Sequence, residues 1–189
     1  MKCNDAIRKN IVNSRIQICH AGRDDICRIA AFLNDCWKVT YRKIISDDYL
    51  DTMSIEERKE RLLKRFDEGV SDFLMMFDGN NLFGAAVFGK SFTEGYEEDG
   101  EITSIYLHEN YIGKGYGHTL YKEIEQALTA KGYSNFVLDV LTNNIRAIKF
   151  YQSHGYLKVA DRHVRLGKTD YPMIIMHKKN VISTQSLYF

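Results

Sequence analysis

Residues 101–120 read EITSIYLHENYIGKGYGHTL and contain a glycine-rich segment between two regular patterns. Residues 102–107 are apolar and strand-like, and a helical pattern begins at about Gly117. Gly113 and Gly115 lie between the two patterns. Glycine lets the backbone approach a ligand closely, and the first amide groups of a helix point outward with the positive end of the helix dipole behind them. This stretch therefore predicts a loop that binds an anionic phosphate.

The glycine spacing differs from that of two common phosphate loops. A Walker loop needs Ser or Thr after its lysine, but Lys114 is followed by Gly115. A dinucleotide fingerprint, G-x-G-x-x-G, would end at His118 or Leu120, so its last glycine is missing in either register. What remains is a strand, a G-x-G turn and a helix. For this stretch alone, a tight turn that caps an ordinary helix is the alternative interpretation.

Length and composition are typical of one soluble globular domain. The chain has 189 residues, of which 44% are hydrophobic, which is enough to bury a core. Its 26 basic and 25 acidic residues give a net charge of +1, which gives no support for binding to nucleic acid or to a membrane surface. No apolar run approaches the ~20 residues of a membrane span, and the N-terminus lacks the apolar core of a signal peptide. A cytoplasmic location is therefore expected.

The cysteines and histidines lack the spacing of a metal site. No C-x-x-C pair occurs, no histidine lies at zinc-finger spacing, and the six histidines are scattered. We therefore expect no metal, and free thiols at Cys3, Cys19, Cys27 and Cys36.

Hydrophobic periodicity predicts an α/β fold with a mixed sheet. Strand patterns cover residues 15–20, 73–77, 82–89, 102–107, 136–141, 156–166 and 171–176. Helical patterns cover residues 26–37, 49–53, 54–68, 117–130 and 145–153. We expect a flexible lead-in at residues 1–14, a single domain at residues 15–179 and a C-terminal tail at residues 180–189.

A second motif lies in residues 140–156, which read VLTNNIRAIKFYQSHGY. It is similar to the pattern N-x-x-A-x-x-F-Y-x-x-x-G-[FY] of the GNAT superfamily of acyl-CoA-dependent N-acetyltransferases. The matching residues are Asn144, Ala147, Phe150, Tyr151, Gly155 and Tyr156. The glycine loop resembles the [QR]-x-x-G-x-[GA] loop of the same family, with Ile112 in the place of Gln or Arg. Both motifs fall on the predicted elements in the right order, and the resemblance extends over residues 15–177.

This resemblance implies both a fold and a reaction. The GNAT fold is a mixed, mostly antiparallel central sheet of about six to seven strands with helices on both faces. The family uses acetyl-CoA as co-substrate and acetylates a primary amine by direct attack in a ternary complex. For this chain the expected acceptor is a small polyamine-like amine or a peptide or protein amine. A homodimer is one assembly found among relatives.

The resemblance also implies catalytic residues. Tyr151 matches the family's general acid, which protonates the CoA sulfur, and a phenol is protonated at neutral pH. Glu101 lies where one branch of the family carries its general base. The base is needed because an alkylammonium, with a pKa of ~10.4, must lose a proton before it attacks. The alternatives are a Tyr151 that only shapes the thioester slot, and a solvated Glu101 with a water chain that carries the proton.

The family's binding residues are carried over by position. Backbone groups of Ile105, Tyr106 and Leu107 are expected to contact the thioester oxygen and the pantetheine arm. The pyrophosphate is expected on the amide groups of Ile112, Gly113, Lys114, Gly115, Tyr116 and Gly117. Lys114 is a charge that can compensate for Ile112, and Asn144 is expected either to contact the pantetheine arm or to hold the strand-to-helix junction.

The acceptor side is expected near Trp37, Tyr41 and Tyr49, and near the acidic loop. That loop contributes Glu94, Glu97, Glu98 and Asp99. Aromatic rings with carboxylates can hold a cationic amine, whereas a core tryptophan and a solvated loop are the plainer interpretation. Two rival functions are a catalytically weak acyl-CoA-binding sensor or partner module, and an unrelated nucleotide-binding domain. The second leaves the motif at residues 144–156 unexplained.

Overall fold

The structure, a computed structural model, describes residues 15–179. Its strands are β1 (Ile16–His20), β2 (Ser71–Asp78), β3 (Asn81–Lys90), β4 (Gly100–Leu107), β5 (Asn135–Leu141), β6 (Leu157–Leu166) and β7 (Thr169–Lys179). Its helices are α1 (Ile26–Tyr41), α2 (Asp47–Asp51), α3 (Ile55–Asp67), α4 (Tyr116–Ala130) and α5 (Ile145–Ser153). The predicted lead-in at residues 1–14 and tail at residues 180–189 lie outside the described residues.

The strands form a seven-stranded mixed sheet in the order β1-β2-β3-β4-β5-β7-β6. The pairs β1–β2, β2–β3, β5–β7 and β6–β7 are antiparallel. β4 pairs with β5 in parallel, with Gly100 opposite Phe136 and Glu101 opposite Val137. The predicted α/β fold with a mixed, mostly antiparallel sheet is confirmed.

Local signals set most of the element boundaries. The β2–β3 hairpin turns at Gly79, whose φ of +59° is one that glycine adopts without strain. Ser54 accepts a hydrogen bond of 3.2 Å from the amide of Glu57 and begins α3 as predicted. Helix α1 is the exception, because it continues past the expected end at Trp37 to Tyr41. Tyr41 is 6% exposed, so tertiary burial extends a helix whose own sequence gave no stop signal.

The chain divides into two compact units, of which the first consists of residues 15–89 and 102–127. Its core contains the apolar face of α1 and the buried side chains of β2 and β3. The main members are Ile26, Ile29, Leu33, Phe73, Met75 and Val87. Tyr106 of β4 is partly buried against this cluster, so the core of the first unit supports the last residues of β4.

The second unit consists of residues 90–101 and 128–179. Phe136, Val137 and Leu138 of β5 are each at most 1% exposed. A mostly apolar run such as that of β5 is typical of a strand buried on both faces, and Asp139 is the exception. Its side chain is 28% exposed and forms an ion pair of 3.2 Å with Arg162. None of the helices in residues 15–179 has the length and apolar character needed to cross a membrane.

Candidate active site

The glycine loop joins β4 to α4 in the first unit. Gly113 has a φ of +78° and Gly115 a φ of +86°, conformations that L residues rarely adopt. Apart from the adjoining residues, no atom of the described part of the chain lies within 4 Å of the place where a Cβ would stand at either position. The backbone conformation therefore requires glycine here, although there is space for a side chain. Both glycines and Lys114 are exposed, so the loop presents its backbone to a ligand.

In residues 15–179, a run of amide groups in this loop has no backbone acceptor. The amide of His118 donates to the carbonyl of Gly115 at 3.0 Å, which starts the hydrogen bonding of α4. The amide of Ile112 donates to the carbonyl of Glu109 at 3.2 Å. Within the described part of the chain, the amides of residues 113–117 donate to no backbone acceptor. The five N–H groups of residues 113–117 at a helix N-terminus fit a pyrophosphate, and the predicted contacts of residues 112–117 with it stay predictions.

Aromatic packing holds the flanks of this loop. Phe83, which is fully buried, stacks on Tyr111 at a centroid distance of 4.0 Å and meets Tyr116 edge-on at 5.2 Å. The hydroxyl of Tyr111 donates to the carboxylate of Asp78 at 3.0 Å. The Lys114 ammonium lies 5.6 Å from the centroid of the Tyr111 ring. The loop is thus fixed at its ends while its tip remains accessible.

The last residues of β4 are tied to α1. Ile105, Tyr106 and Leu107 are all half-buried. The hydroxyl of Tyr106 lies 3.0 Å from that of Tyr41. The ring centroid of Tyr41 is 4.5 Å from that of Trp37. The contact places part of the predicted acceptor side next to the predicted thioester strand. The roles expected of the Ile105–Leu107 backbone stay predictions.

Glu101 is the second residue of β4 and is held by the start of the 91–99 loop. Its Oε2 accepts hydrogen bonds from the amide of Phe92 at 2.8 Å and from the hydroxyls of Ser91 and Thr93, each at 3.3 Å. Ser91 and Thr93 are buried and Glu101 is half-buried. Glu101 is therefore a carboxylate with three donors, not the solvated side chain of the alternative interpretation. Its use as a base stays a prediction.

A second carboxylate, which the sequence analysis did not single out, interacts with Glu101. The pKa of Asp139 on β5 is raised, mainly by burial. The neighbouring Arg162 lowers it, and the negative charge of Glu101 raises it further. A charged residue within the apolar run FVLDVL was the only sequence signal for this position. Two carboxylates that influence one another are a common arrangement at sites of proton transfer.

Tyr151 lies near the C-terminal end of α5 in the second unit. It is 8% exposed, and its ring centroid is 5.4 Å from that of Phe150 and 5.7 Å from that of Tyr156. The helix begins at Asn144, whose side-chain oxygen accepts a hydrogen bond from the amide of Ala147 at 3.2 Å. Of the two roles expected of Asn144, the structure supports the one at the junction. Contact of Asn144 with CoA, and the acid role of Tyr151, stay predictions.

Within residues 15–179, the cysteine thiols and the side chains that could bind a metal do not form a second functional site. Cys19, Cys27 and Cys36 are free thiols, and Cys3 lies outside the described residues. The pKa of Cys36 is raised to about 12, mainly by burial and also by the charge of Asp35. Between residues 15 and 179, no group of three or more His, Cys, Asp or Glu side chains is placed to hold a metal ion.

Comparison with known proteins places this site in a family. The model of the acetyltransferase (GNAT) family matches residues 32–156. An uncharacterised N-acetyltransferase of Bacillus subtilis, YuaI, is 33% identical over 148 residues, which are 77% of this chain and 83% of that protein. A spermidine N(1)-acetyltransferase of Thermoplasma acidophilum is 29% identical over 171 residues, which are 87% of this chain and 97% of that protein.

Solved structures agree with this placement. PaiA N-acetyltransferase from T. acidophilum, in complex with coenzyme A, superposes with a TM-score of 0.70 at 26% identity, covering 87% of this chain and 98% of that chain. The ribosomal-protein-alanine N-acetyltransferase from Brucella melitensis has the same fold, with a TM-score of 0.67 at 21% identity over 86% of this chain and 98% of that chain. The chain therefore belongs to the GNAT family and is an acetyl-CoA-dependent N-acetyltransferase.

Proposed function

We propose that the protein acetylates a primary amine, either a small polyamine-like amine or an amine of a peptide or protein, by direct attack in a ternary complex. The observation that carries this proposal is the Glu101 carboxylate, which Ser91, Phe92 and Thr93 hold in one position. A carboxylate fixed in this way can accept the proton that an alkylammonium must lose, either directly or through one water. The backbone conformation of the glycine loop and the burial of Tyr151 support the remaining roles.

In this proposal backbone amides, a carboxylate and a phenol take part in the reaction. The amides of residues 113–117 bind the pyrophosphate of the co-substrate, and backbone groups of Ile105–Leu107 donate to the thioester oxygen. Acetyl-CoA, when bound, supplies the acetyl group as a thioester. Glu101 takes a proton from the acceptor nitrogen, and the hydroxyl of Tyr151 gives a proton to the departing sulfur. A thiol has a pKa of about 8.5, so protonation assists its departure at neutral pH.

Ile112 provides a test of the cradle. Ile112→Arg is expected to lower the Kd for acetyl-CoA about fivefold, because a charge-assisted hydrogen bond to phosphate contributes on the order of 1 kcal/mol. Calorimetric titration measures the change, and Ile112→Leu is the size-matched control, expected to bind as the wild type does. A folded Ile112→Arg variant with wild-type affinity would show that this side chain does not reach the phosphates.

The acceptor class is tested by following thiol release from acetyl-CoA over a panel of amines. The panel contains polyamines, aminoglycosides, amino acids, and peptides with a lysine or a free N-terminus. The enzyme carries free thiols of its own, among them exposed Cys27, so thiol release is read against a blank that contains enzyme and acetyl-CoA but no amine. Turnover concentrated in one amine class is the expected result. Binding of acetyl-CoA without release for any amine would favour the sensor or partner module instead.

A polyamine acceptor is favoured by one relative and by one loop. The T. acidophilum protein that is 29% identical is named a spermidine N(1)-acetyltransferase. The 91–99 loop exposes Glu94, Glu97 and Glu98. Hydrogen bonds from the backbone amides of Gly95 and Glu97 lower the pKa of Glu97, so this carboxylate is charged at neutral pH. The guanidinium of Arg58 beside the Trp37 ring, however, favours a different acceptor.

A further inference from the structure

Arg58 of α3 is a half-buried cation that has no counter-ion among the described residues. Within residues 15–179, no Asp or Glu forms an ion pair with it, and its one hydrogen bond runs from Nε to Oδ1 of Asn34 at 3.4 Å. Burial lowers the pKa of Arg58, and nearby Arg61 lowers it further, against the opposing influence of Tyr106 and Tyr49. A guanidinium does not lose its proton in a protein, so it keeps a charge that is only partly solvated. An anionic ligand would compensate that charge.

The surrounding residues hold the guanidinium in one orientation. Asn34 is 2% exposed, and its side-chain nitrogen donates to the carbonyl of Met53 at 3.3 Å. Its oxygen accepts from Arg58, whose guanidinium carbon lies 5.7 Å from the centroid of the Trp37 ring. Nε is therefore occupied, while neither terminal nitrogen of Arg58 makes a hydrogen bond to any residue between 15 and 179. Two parallel N–H donors match the two oxygens of a carboxylate.

Arg58 belongs to the surface expected to bind the acceptor. It interacts electrostatically with Tyr106, which is in the strand segment proposed to contact the thioester. The hydroxyl of Tyr106 lies 3.0 Å from that of Tyr41, the neighbour of Trp37 in the aromatic group. One face of that group is thus already occupied by a cation of the protein. The expectation that Trp37 holds a cationic amine is therefore disfavoured, since a second positive charge there would repel Arg58.

We propose that the terminal nitrogens of Arg58 bind a carboxylate of the acceptor, so that the acceptor is an amine that carries a carboxylate, of the amino-acid type. The proposal rests on the proposed acetylation of a primary amine, and it sets the acceptor apart from the polyamine-like amines. Arg58 is then a specificity-determining residue. It contacts the part of the acceptor that does not react, and it discriminates against diamines and polyamines.

The test compares acceptors that differ only in the carboxylate. Ornithine is paired with putrescine and lysine with cadaverine, and kcat/KM is measured for each. Wild-type enzyme is expected to prefer the carboxylate member of a pair by about tenfold or more, because a site built to pair a polar group rejects the analogue that lacks it. Arg58→Gln is expected to abolish this preference through the KM of the acceptor, with an unchanged Kd for acetyl-CoA.

Two matched variants separate charge recognition from packing. Arg58→Lys keeps the positive charge but lacks the two parallel N–H donors of a guanidinium. It is expected to retain part of the preference for the acceptor that carries a carboxylate. Arg61→Gln removes an exposed cation of the same helix and is expected to change the preference less than threefold. A wild-type preference for the diamines would overturn the proposal. So would an Arg58→Gln variant whose only defect is weaker acetyl-CoA binding, because the arginine would then serve the phosphates of the donor.

A binding measurement keeps this test distinct from the test of amine acetylation. The melting temperature of the protein with CoA is recorded with ornithine and with putrescine. If no amine in the panel is acetylated, the proposed function fails, but stabilisation by ornithine in the wild type and not in Arg58→Gln still supports the carboxylate site. Equal stabilisation by the two compounds, or none by either, overturns it. If Arg58→Gln does not fold, Arg58→Lys is compared with the wild type instead, and an undiminished preference for ornithine counts against a bidentate contact.

Discussion

Replacing Tyr151 with Phe is expected to lower kcat by ~10²-fold or more and to leave the Kd for acetyl-CoA unchanged. The substitution removes one hydroxyl from a side chain that is 8% exposed, and it keeps the ring that packs against Phe150 and Tyr156. The loss of rate then reports the missing proton donor. Steady-state kinetics with the preferred acceptor and calorimetric titration with acetyl-CoA give the two quantities.

The pH dependence and a neighbouring tyrosine identify the cause of that loss. Above a thiol pKa of about 8.5 the sulfur departs readily as thiolate, so the deficit of Tyr151→Phe is expected to narrow with rising pH. Tyr156→Phe is the matched control, because Tyr156 is also buried and its ring centroid is 5.7 Å from that of Tyr151. An equal loss in both variants would point to packing. Near-wild-type turnover of Tyr151→Phe at every pH would remove Tyr151 from the acid role.

The features that sequence could predict are those set by neighbours along the chain. The glycine loop needs φ values that glycine alone adopts readily, and its two ends are a strand and a helix with clear periodicity. The N-terminal caps of α3 and α5 are also local, because the side chains of Ser54 and Asn144 each accept a hydrogen bond from the amide three residues later. Signals of this kind lie within a few residues, and for that reason these elements were predicted correctly.

The features that sequence could not predict depend on contacts between distant segments. Ser91 and Thr93 reach Glu101 because the 91–99 loop folds back beside β4, and nothing in that loop's composition specifies hydrogen bonds to one carboxylate. The guanidinium of Arg58 lies over the Trp37 ring because α3 packs beside α1. Neither helix carries a local sequence signal for this contact. The prediction that Trp37 helps to hold a cationic amine could not take this arginine into account. Packing decided which charges stand beside the aromatic residues.

Replacing Glu101 with Gln is expected to lower kcat/KM by ~10²-fold or more at neutral pH. Glutamine has nearly the same shape, and its carbonyl oxygen can still accept from the amide of Phe92, which lies 2.8 Å from Oε2 in the wild type. The variant therefore keeps the 91–99 loop in place while it loses the proton acceptor. The measurement is kcat/KM over a range of pH, with the melting temperature as a check on folding.

The acceptor's own ionisation separates a base at Glu101 from a structural carboxylate. An alkylammonium has a pKa of ~10.4, so the fraction of free amine rises about tenfold per pH unit below that value. If Glu101 removes this proton, Glu101→Gln should approach the wild-type rate as the pH approaches the pKa of the amine. A purely structural loss would stay constant with pH. Asp139→Asn is the control, because Asp139 is the carboxylate whose pKa responds to Glu101. A larger loss of kcat/KM in Asp139→Asn than in Glu101→Gln would assign proton transfer to Asp139. Wild-type rates in both variants would indicate that a water chain removes the proton.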